Sequence, residues 1–183
     1  SQMQSLTLEM KITMTKSRIK QWYDSWDGLV YVSFSGGKDS TVLKHIVDSM
    51  YDNVPAVFVN TGLEYPEIQS FVNAIKRGEY DCFTHNVKIL YPEMRFDEVI
   101  KKYGYPAISK EIAHKMNDYN SAKRHGNESY VERQFNGTYI SKNGKTCYNV
   151  TKWQPLLQCP YMISHKCCDV MKKFPTKKYT KET

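Results

Sequence analysis

Leu29-Val30-Tyr31-Val32-Ser33-Phe34-Ser35-Gly36-Gly37-Lys38-Asp39-Ser40 is the stretch that decides how this chain folds. An apolar, strand-like run ends at Phe34 and two glycines follow. A helical pattern of Val42, Leu43, Ile46, Val47 and Met50 then begins. Glycines at such a junction remove the side chains that would keep a ligand away from the backbone. The first amides of the helix have no intrahelical acceptor, and its dipole puts partial positive charge at the same end. Backbone N–H groups, the Ser35 and Ser40 hydroxyls and the Lys38 ammonium then converge on one point, an anion site best filled by phosphate. The plainer reading of the same residues is a glycine-rich strand-to-helix turn with an Asp/Ser cap.

Outward from this junction, strands and helices alternate. Leu8, Ile12, Thr15, Ile19, Trp22 and Trp26 predict an amphipathic helix over 7–25. Pro55 opens a strand at Ala56-Val57-Phe58-Val59, and Ile68, Phe71, Val72 and Ile75 place a helix behind it. Thr84 to Leu90 is a weaker strand, followed by helices carrying Phe96, Val99, Ile100 and Tyr103, then Ile108, Ile112, Met116 and Tyr119 as far as Arg124. This order predicts an α/β fold, a doubly wound and mostly parallel sheet with helices on both faces and right-handed crossovers. Ligands of such sheets bind at the carboxyl ends of strands, where Ser35 and Asn60 both fall. Residues 125–150 are polar; Asn143-Gly144 would turn a hairpin between Tyr139-Ile140 and Cys147-Tyr148. The tail from Lys177 to Thr183 is charged and is expected to fray.

With 183 residues, 40% hydrophobic and 25% charged, the composition is that of one soluble globular domain. No stretch approaches 18 apolar residues and no signal-peptide core is present, so the expectation is a cytoplasmic protein without a membrane partner. Five cysteines without disulfide spacing suit a reducing compartment. Ser1-Gln2 ahead of Met3 reads as an addition to the natural start. The net charge of +7 is uneven: residues 1–100 hold 10 Lys/Arg against 13 Asp/Glu, and residues 101–183 hold 16 against 6. A basic half is either a solvated face or a partner for a polyanion, such as a nucleotide with extra phosphate or sulfate, or a nucleic acid.

The glycine loop is not the Walker pattern, whose spacing is longer. It resembles the PP-loop of the ATP pyrophosphatase superfamily, Ser-Gly-Gly-x-Asp-Ser, a string with on the order of a one in 10^5 chance of arising in a chain this long. The next strand end, Val59-Asn60-Thr61-Gly62-Leu63-Glu64-Tyr65-Pro66-Glu67, is similar to the Asp-Thr-Gly-x-x-Phe-Pro-Glu segment of the phosphoadenosine phosphosulfate (PAPS) reductase family. Asn60 stands where many members have Asp, and Tyr65 where many have Phe. The same residues also read as a capped turn in which Pro66 opens a helix. Tyr103 to Lys110 resembles a further family segment whose Ser and Lys face the nucleotide. Lys166-Cys167-Cys168-Asp169-Val170-Met171-Lys172-Lys173-Phe174-Pro175 resembles the Cys-Cys-x-x-Arg/Lys-Lys-x-x-Pro element. The resemblance covers about residues 28–180, dividing the chain into an N-terminal helix, 1–27, and a reductase-like nucleotide-binding domain, 28–183, in which 125–183 is a less regular basic subregion.

That resemblance implies an adenine nucleotide: ATP, PAPS or adenylylsulfate. Ser35, Gly36, Gly37, Lys38, Asp39 and Ser40 would hold phosphates, Val59, Asn60, Thr61 and Gly62 the adenosine, and Ser109 and Lys110 the distal anion. Lys38 and Asp39 are the catalytic candidates, with Asp39 or Glu64 orienting metal or water. Two reactions share such a site: thiol attack on the sulfur of a sulfonucleotide, and ATP cleavage with Mg2+ to activate an acceptor in tRNA, DNA or a small molecule. A non-catalytic nucleotide- or nucleic-acid-binding module is the rival. A sulfur-donor protein is a further candidate partner, and the number of chains in the assembly is left open.

The family's Glu-Cys-Gly-x-His tail and second cysteine pair have no counterpart here, so the chain reads as a truncated form or a short relative that would not complete a thiol-dependent reduction. Cys159, Cys167 and Cys168, with Cys147 across a loop, are the candidates for an iron–sulfur cluster or zinc. Adjacent cysteines point apart on a helix, however, and ordinary reduced thiols without metal are the expectation. Lys166, Lys172 and Lys173 flank the pair and are expected to lower its thiol pKa. His45, His85, His114, His125 and His165 lack metal spacing and read as solvated or core residues. Gly36 and Gly37 are both expected to matter for binding and little for folding.

Overall fold

The computed structural model describes residues 4–127 and 130–182. The addition read at Ser1-Gln2 and the last residue of the tail, Thr183, lie outside these residues. The chain forms two compact units, Ser1–Pro92 with Pro175–Thr183, and Glu93–Phe174.

In the first unit the Thr7 hydroxyl accepts the Met10 N–H, and α1 runs Leu8–Ser25, where the apolar spacing places it. Ile19 and Tyr23 pack on the sheet's core, and Tyr23 stacks on Tyr51 with centroids 3.9 Å apart. There follow β1 (Val32–Ser33), α2 (Lys38–Asp48), β2 (Ala56–Val59), α3 (Pro66–Arg77) and β3 (Val87–Leu90). The strands form one parallel sheet in the order β1-β2-β3, with Val32 opposite Ala56, and Ala56 to Val59 opposite Val87 to Leu90. Parallel neighbours need a crossover, which α2 and α3 supply. The architecture is α/β and Rossmann-like, a parallel sheet flanked by helices. Ala56, Val57 and Phe58 on the middle strand are all buried, the mark of a strand covered on both faces. Phe34, Val54, Val72 and Ile75 complete the core, each stabilising by about 1.5–3 kcal/mol.

The first strand is shorter than the apolar run over 29–34 predicts. The Leu29 amide bonds the Trp26 carbonyl in the turn after α1, so ladder geometry starts only at Val32, and it continues through Phe34 N–H to the Val57 carbonyl at 2.9 Å. A buried ion pair also escapes the sequence pattern. Lys44 Nζ lies 2.7 Å from Asp48 Oδ2 and donates to the Thr84 carbonyl and hydroxyl at 3.1 and 3.2 Å. The two side chains are 0% and 4% exposed. Thr84 returns its N–H and hydroxyl to Asp48, so the pair ties α2 to the segment before β3 with its polar atoms engaged.

The second unit contains α4 (Phe96–Tyr103), α5 (Lys110–Arg124), α6 (Tyr130–Asn136), a 3-10 helix (Thr151–Gln158) and α7 (Lys166–Cys168), the last continuing into a π turn at Asp169–Lys173. One core joins Ile112, Ala113, Met116, Val131, Phe135 and Ile163; another joins Val99, Val170 and Met171. A single parallel bridge pairs Tyr105 with Ile163. Gly104 is required there: its φ is +95°, and a Cβ would run into the Met162 carbonyl. The hairpin expected between 139–140 and 147–148 does not form. Ser141 and Lys145 close a turn, but the Asn149 amide takes the carbonyls of Gly137 and Tyr139 in place of a strand ladder.

The final helix, α8, spans Phe174–Glu182, with its residues from Pro175 onward in the first unit. The expectation of a frayed tail is therefore corrected up to Glu182. Pro175 is buried and Tyr179 packs edge-on against Tyr31 at 5.9 Å, anchors the charge-rich sequence conceals. Among the described residues no helix is long and apolar enough to cross a membrane.

Candidate functional site

The loop Ser35–Ser40 leaves β1 and enters α2 at the carboxyl end of the sheet. Gly36 takes φ +72°, and an added Cβ would sit 2.7 Å from Ile68 Cγ2 and 3.3 Å from Val72 Cγ2. Its lack of a side chain lets α3 close against the loop, which corrects the expectation that Gly36 matters little for folding. Gly37 differs. Its φ is −81°, and a Cβ would meet only Ser35 Oγ, at an ordinary 3.5 Å. Space is open at Gly37.

Gly37 is also the N-cap of α2 and provides no side-chain cap. The Thr41 N–H bonds the Gly37 carbonyl at 3.0 Å, so the amides of Lys38, Asp39 and Ser40 precede the first helical acceptor. Ser40 Oγ donates to the Gly37 carbonyl at 2.9 Å and accepts the Ser35 N–H at 3.2 Å, while Ser35 Oγ lies 3.0 Å from it and accepts the Gly37 N–H at 3.4 Å. Both hydroxyls brace the loop, holding its amides in place. Lys38 and Asp39 pair at 2.8 Å with side chains 90% exposed. The hydrogen bond to Asp39, with its charge, raises the Lys38 pKa, so the ammonium stays charged. An exposed pair of this kind is weak and separates readily for a stronger anion.

The neighbouring turn, Asn60 to Glu64, follows β2. Thr61 donates its N–H to Glu64 Oε2 at 2.9 Å and its hydroxyl to Oε1 at 2.8 Å. Asn60 Oδ1 accepts the Gly62 N–H at 2.9 Å, and its amide nitrogen donates to Gln69 Oε1 at 3.4 Å. Asn in place of Asp thus reaches α3 through an amide donor that a carboxylate lacks. Val59 pairs with Leu90 in the ladder, which fixes the turn's origin. Glu64 and Asn60 build the turn; Ile68, Val72 and Gln69, which the motif reading passed over, hold it and the loop from α3.

Ser109 and Lys110 belong to the second unit. The Ser109 hydroxyl caps α5 by accepting the Ile112 N–H at 3.2 Å, and Lys110 is the first helical residue, exposed. Ile108 just before them has φ +69°, a left-handed conformation costly for a β-branched residue. Cys167 packs with Val99 and Met171, and burial pushes its thiol pKa up, outweighing the lowering contribution of Lys110. The expected depression by flanking lysines does not hold for this thiol. Lys173 instead pairs with Asp169 at 2.7 Å and holds that carboxyl below its usual range. Cys159 packs against the α5–α6 core, and all five cysteines are free. Among the described residues no group of three His, Cys, Asp or Glu side chains is placed to hold a metal ion.

One pair is invisible in sequence: His114 and His165 stack with centroids 4.2 Å apart. His114 Nδ1 lies 2.9 Å from Asp118, and His165 Nε2 lies 3.7 Å from Asp169. Burial, then His114, lowers the His165 pKa below 6.5. Its Nδ1 is buried without a hydrogen-bond partner among the described residues, in keeping with a neutral ring.

A parallel sheet flanked by helices, with a glycine loop and a braced turn at neighbouring strand ends, defines the class: an α/β, Rossmann-like fold. Residues 29–183 match the family of the phosphoadenosine phosphosulfate reductase domain, and the chain belongs to that family. It is similar to the phosphoadenosine 5'-phosphosulfate reductase of Vibrio vulnificus, 22% identical over 135 residues, which is 72% of this chain and 51% of that protein. It is also similar to two uncharacterized proteins of Methanocaldococcus jannaschii. One is 33% identical over 93 residues, 49% of this chain and 21% of the relative; the other is 35% identical over 91 residues, 49% and 18%. The matches thus span about a fifth to a half of the relatives' own lengths. No solved structure matches at comparable significance.

Proposed function

We propose that this chain binds an adenine nucleotide at the Ser35–Ser40 loop and acts in sulfonucleotide chemistry, as a domain of the PAPS reductase family. The observation that carries the reading is the uncapped start of α2. Gly37 supplies no side chain, the Lys38 to Ser40 amides have no helical acceptor, and the serine hydroxyls are spent on holding that geometry. A phosphate group fits the open space beside Gly37, with Lys38 leaving Asp39 to neutralise it. The strand-end backbone at Val59 to Gly62 is the adenosine side of the site.

In this reading Lys38 and the loop amides stabilise negative charge on the phosphate as a bond to it or to its sulfate breaks. Mg2+ accompanying a triphosphate would find the Asp39 carboxylate at the loop; both Glu64 oxygens are already engaged by Thr61. Lys38 and Asp39 therefore carry the catalytic assignment, and Glu64 a supporting one.

Thermal unfolding with ATP, PAPS and adenylylsulfate, each with and without Mg2+, tests the proposal. A ligand at 100 times its dissociation constant adds about 2.7 kcal/mol of stability. A shift with a sulfonucleotide that needs no Mg2+ is expected. A shift with ATP and Mg2+ alone would move the chain to the pyrophosphatase chemistry, and no shift with any of the three would overturn nucleotide binding.

A further inference from the structure

We infer that the segment Tyr130–Trp153 of the second unit is a platform for single-stranded nucleic acid. Tyr130, Tyr139 and Tyr148 form a continuous row of rings, with centroids 6.0 Å apart for the first pair and 6.4 Å for the second. The outer two are 53% and 48% exposed, so solvent reaches both ends of the row. Their ring planes are inclined by 52° and 76°, so the rings meet edge to face and do not close into a parallel stack with one another.

Charge accompanies the rings. The segment carries Arg133, Lys142, Lys145 and Lys152 against one acid, Glu132. Lys142 and Lys145 are exposed on the Ser141–Lys145 turn, which is closed by the Ser141 N–H to the Lys145 carbonyl and by the Lys145 N–H to Ser141 Oγ. Lys152 lies over the Trp153 ring at 5.1 Å. Aromatic rings interleaved with cations are what a strand of unpaired nucleotides needs: π-faces for bases and positive charge for the phosphates between them. Paired bases offer no face to such rings, which argues for single strands over duplex.

The segment is also built to stay in shape. Asn149 holds the carbonyls of Gly137 and Tyr139, the Val150 N–H bonds the Gln134 carbonyl at 2.9 Å, and Lys115 donates to the Tyr148 carbonyl at 2.9 Å. Phe135, Val131, Val150 and Trp153 anchor it in one core. None of this depends on the phosphate loop, so the platform stands or falls separately from the nucleotide site.

Fluorescence anisotropy of the whole chain with labelled 12-nucleotide oligothymidine and oligouridine strands tests the inference. Binding is expected to weaken linearly on a log–log plot against salt. Tyr130→Leu and Tyr148→Leu are each expected to weaken it roughly tenfold with the salt slope unchanged, whereas Tyr148→Phe retains affinity. The Lys142→Gln/Lys145→Gln pair is expected to lower the slope by about 1.4. Matched thermal melts establish that the variants fold. Equal affinity for heparin with no effect of either Leu substitution would reduce the surface to a generic cationic face and overturn the inference. Absence of strand binding up to about 100 μM at low salt would do the same.

Discussion

The two units handle charge in opposite ways. The first buries its decisive cation, Lys44, in a full set of partners and carries the proposed anion site, made mostly of backbone. The second presents Lys142 and Lys145 on an exposed turn near exposed tyrosines, and stacks the exposed His114 on the mostly covered His165. A backbone site requires strand, loop and helix to be held in register, so its residues cluster in sequence and pack tightly. A surface of side chains needs only a stable support, and its members are scattered.

The largest test of this contrast is Lys44→Ala, expected to lose about 3–5 kcal/mol because it strands Asp48 and Thr84 in the core. Lys20→Ala, which removes an exposed pair with Asp24, should lose less than about 1 kcal/mol. Urea unfolding of both variants measures the difference, and equal losses would erase the distinction between buried and surface charge.

Next come the adjacent glycines. Gly36→Ala forces a left-handed conformation and a clash with Ile68, and is expected to lose about 2–4 kcal/mol. Gly37→Ala should stay within about 1 kcal/mol of the parent, since only an N-cap preference changes, while nucleotide binding is lost. A Gly37→Ala variant that binds nucleotide normally would remove the loop from the site.

Smaller still is a pH effect in the second unit. The folded-state pKa of His165 is lowered, so the unfolded chain binds this proton more readily. Its contribution to stability is complete above the unfolded value of 6.5 and falls as pH drops below it. Asp169, with its pKa also lowered, loses its contribution at more acidic pH, as it is protonated. His114, Asp118, Lys166 and Lys173 are the charged or titratable neighbours that set these shifts. His165→Gln should flatten the decline of melting temperature just below pH 6.5; an unchanged slope would place that proton elsewhere. The smallest effect is chemical: at neutral pH, iodoacetamide should label exposed Cys82 and Cys147 before Cys167, as peptide mass spectrometry would read.

What the sequence disclosed follows the same division. Helix α1, the three strands and the loop at Ser35–Ser40 were legible because apolar period and glycine placement are local signals. The support for Gly36 was not, because Ile68 and Val72 lie a strand and a helix away. In the second unit, Asn143-Gly144 correctly marked a turn, but the flanking residues lack alternation and Asn149 takes their carbonyls, so no hairpin results. The His114–His165 stack joins residues far apart in the chain, and Tyr179 was hidden among lysines. Contacts of that range leave no trace in periodicity.

The central claim, nucleotide at the backbone site of the first unit, is tested most directly by amide NMR on the isotope-labelled chain during titration with PAPS. The largest shifts are expected at the Gly36 to Ser40 amides, with smaller ones at Asn60 to Gly62 and none from Tyr139 to Tyr148. Shifts concentrated in the second unit, with the loop amides unmoved at saturation, would contradict it.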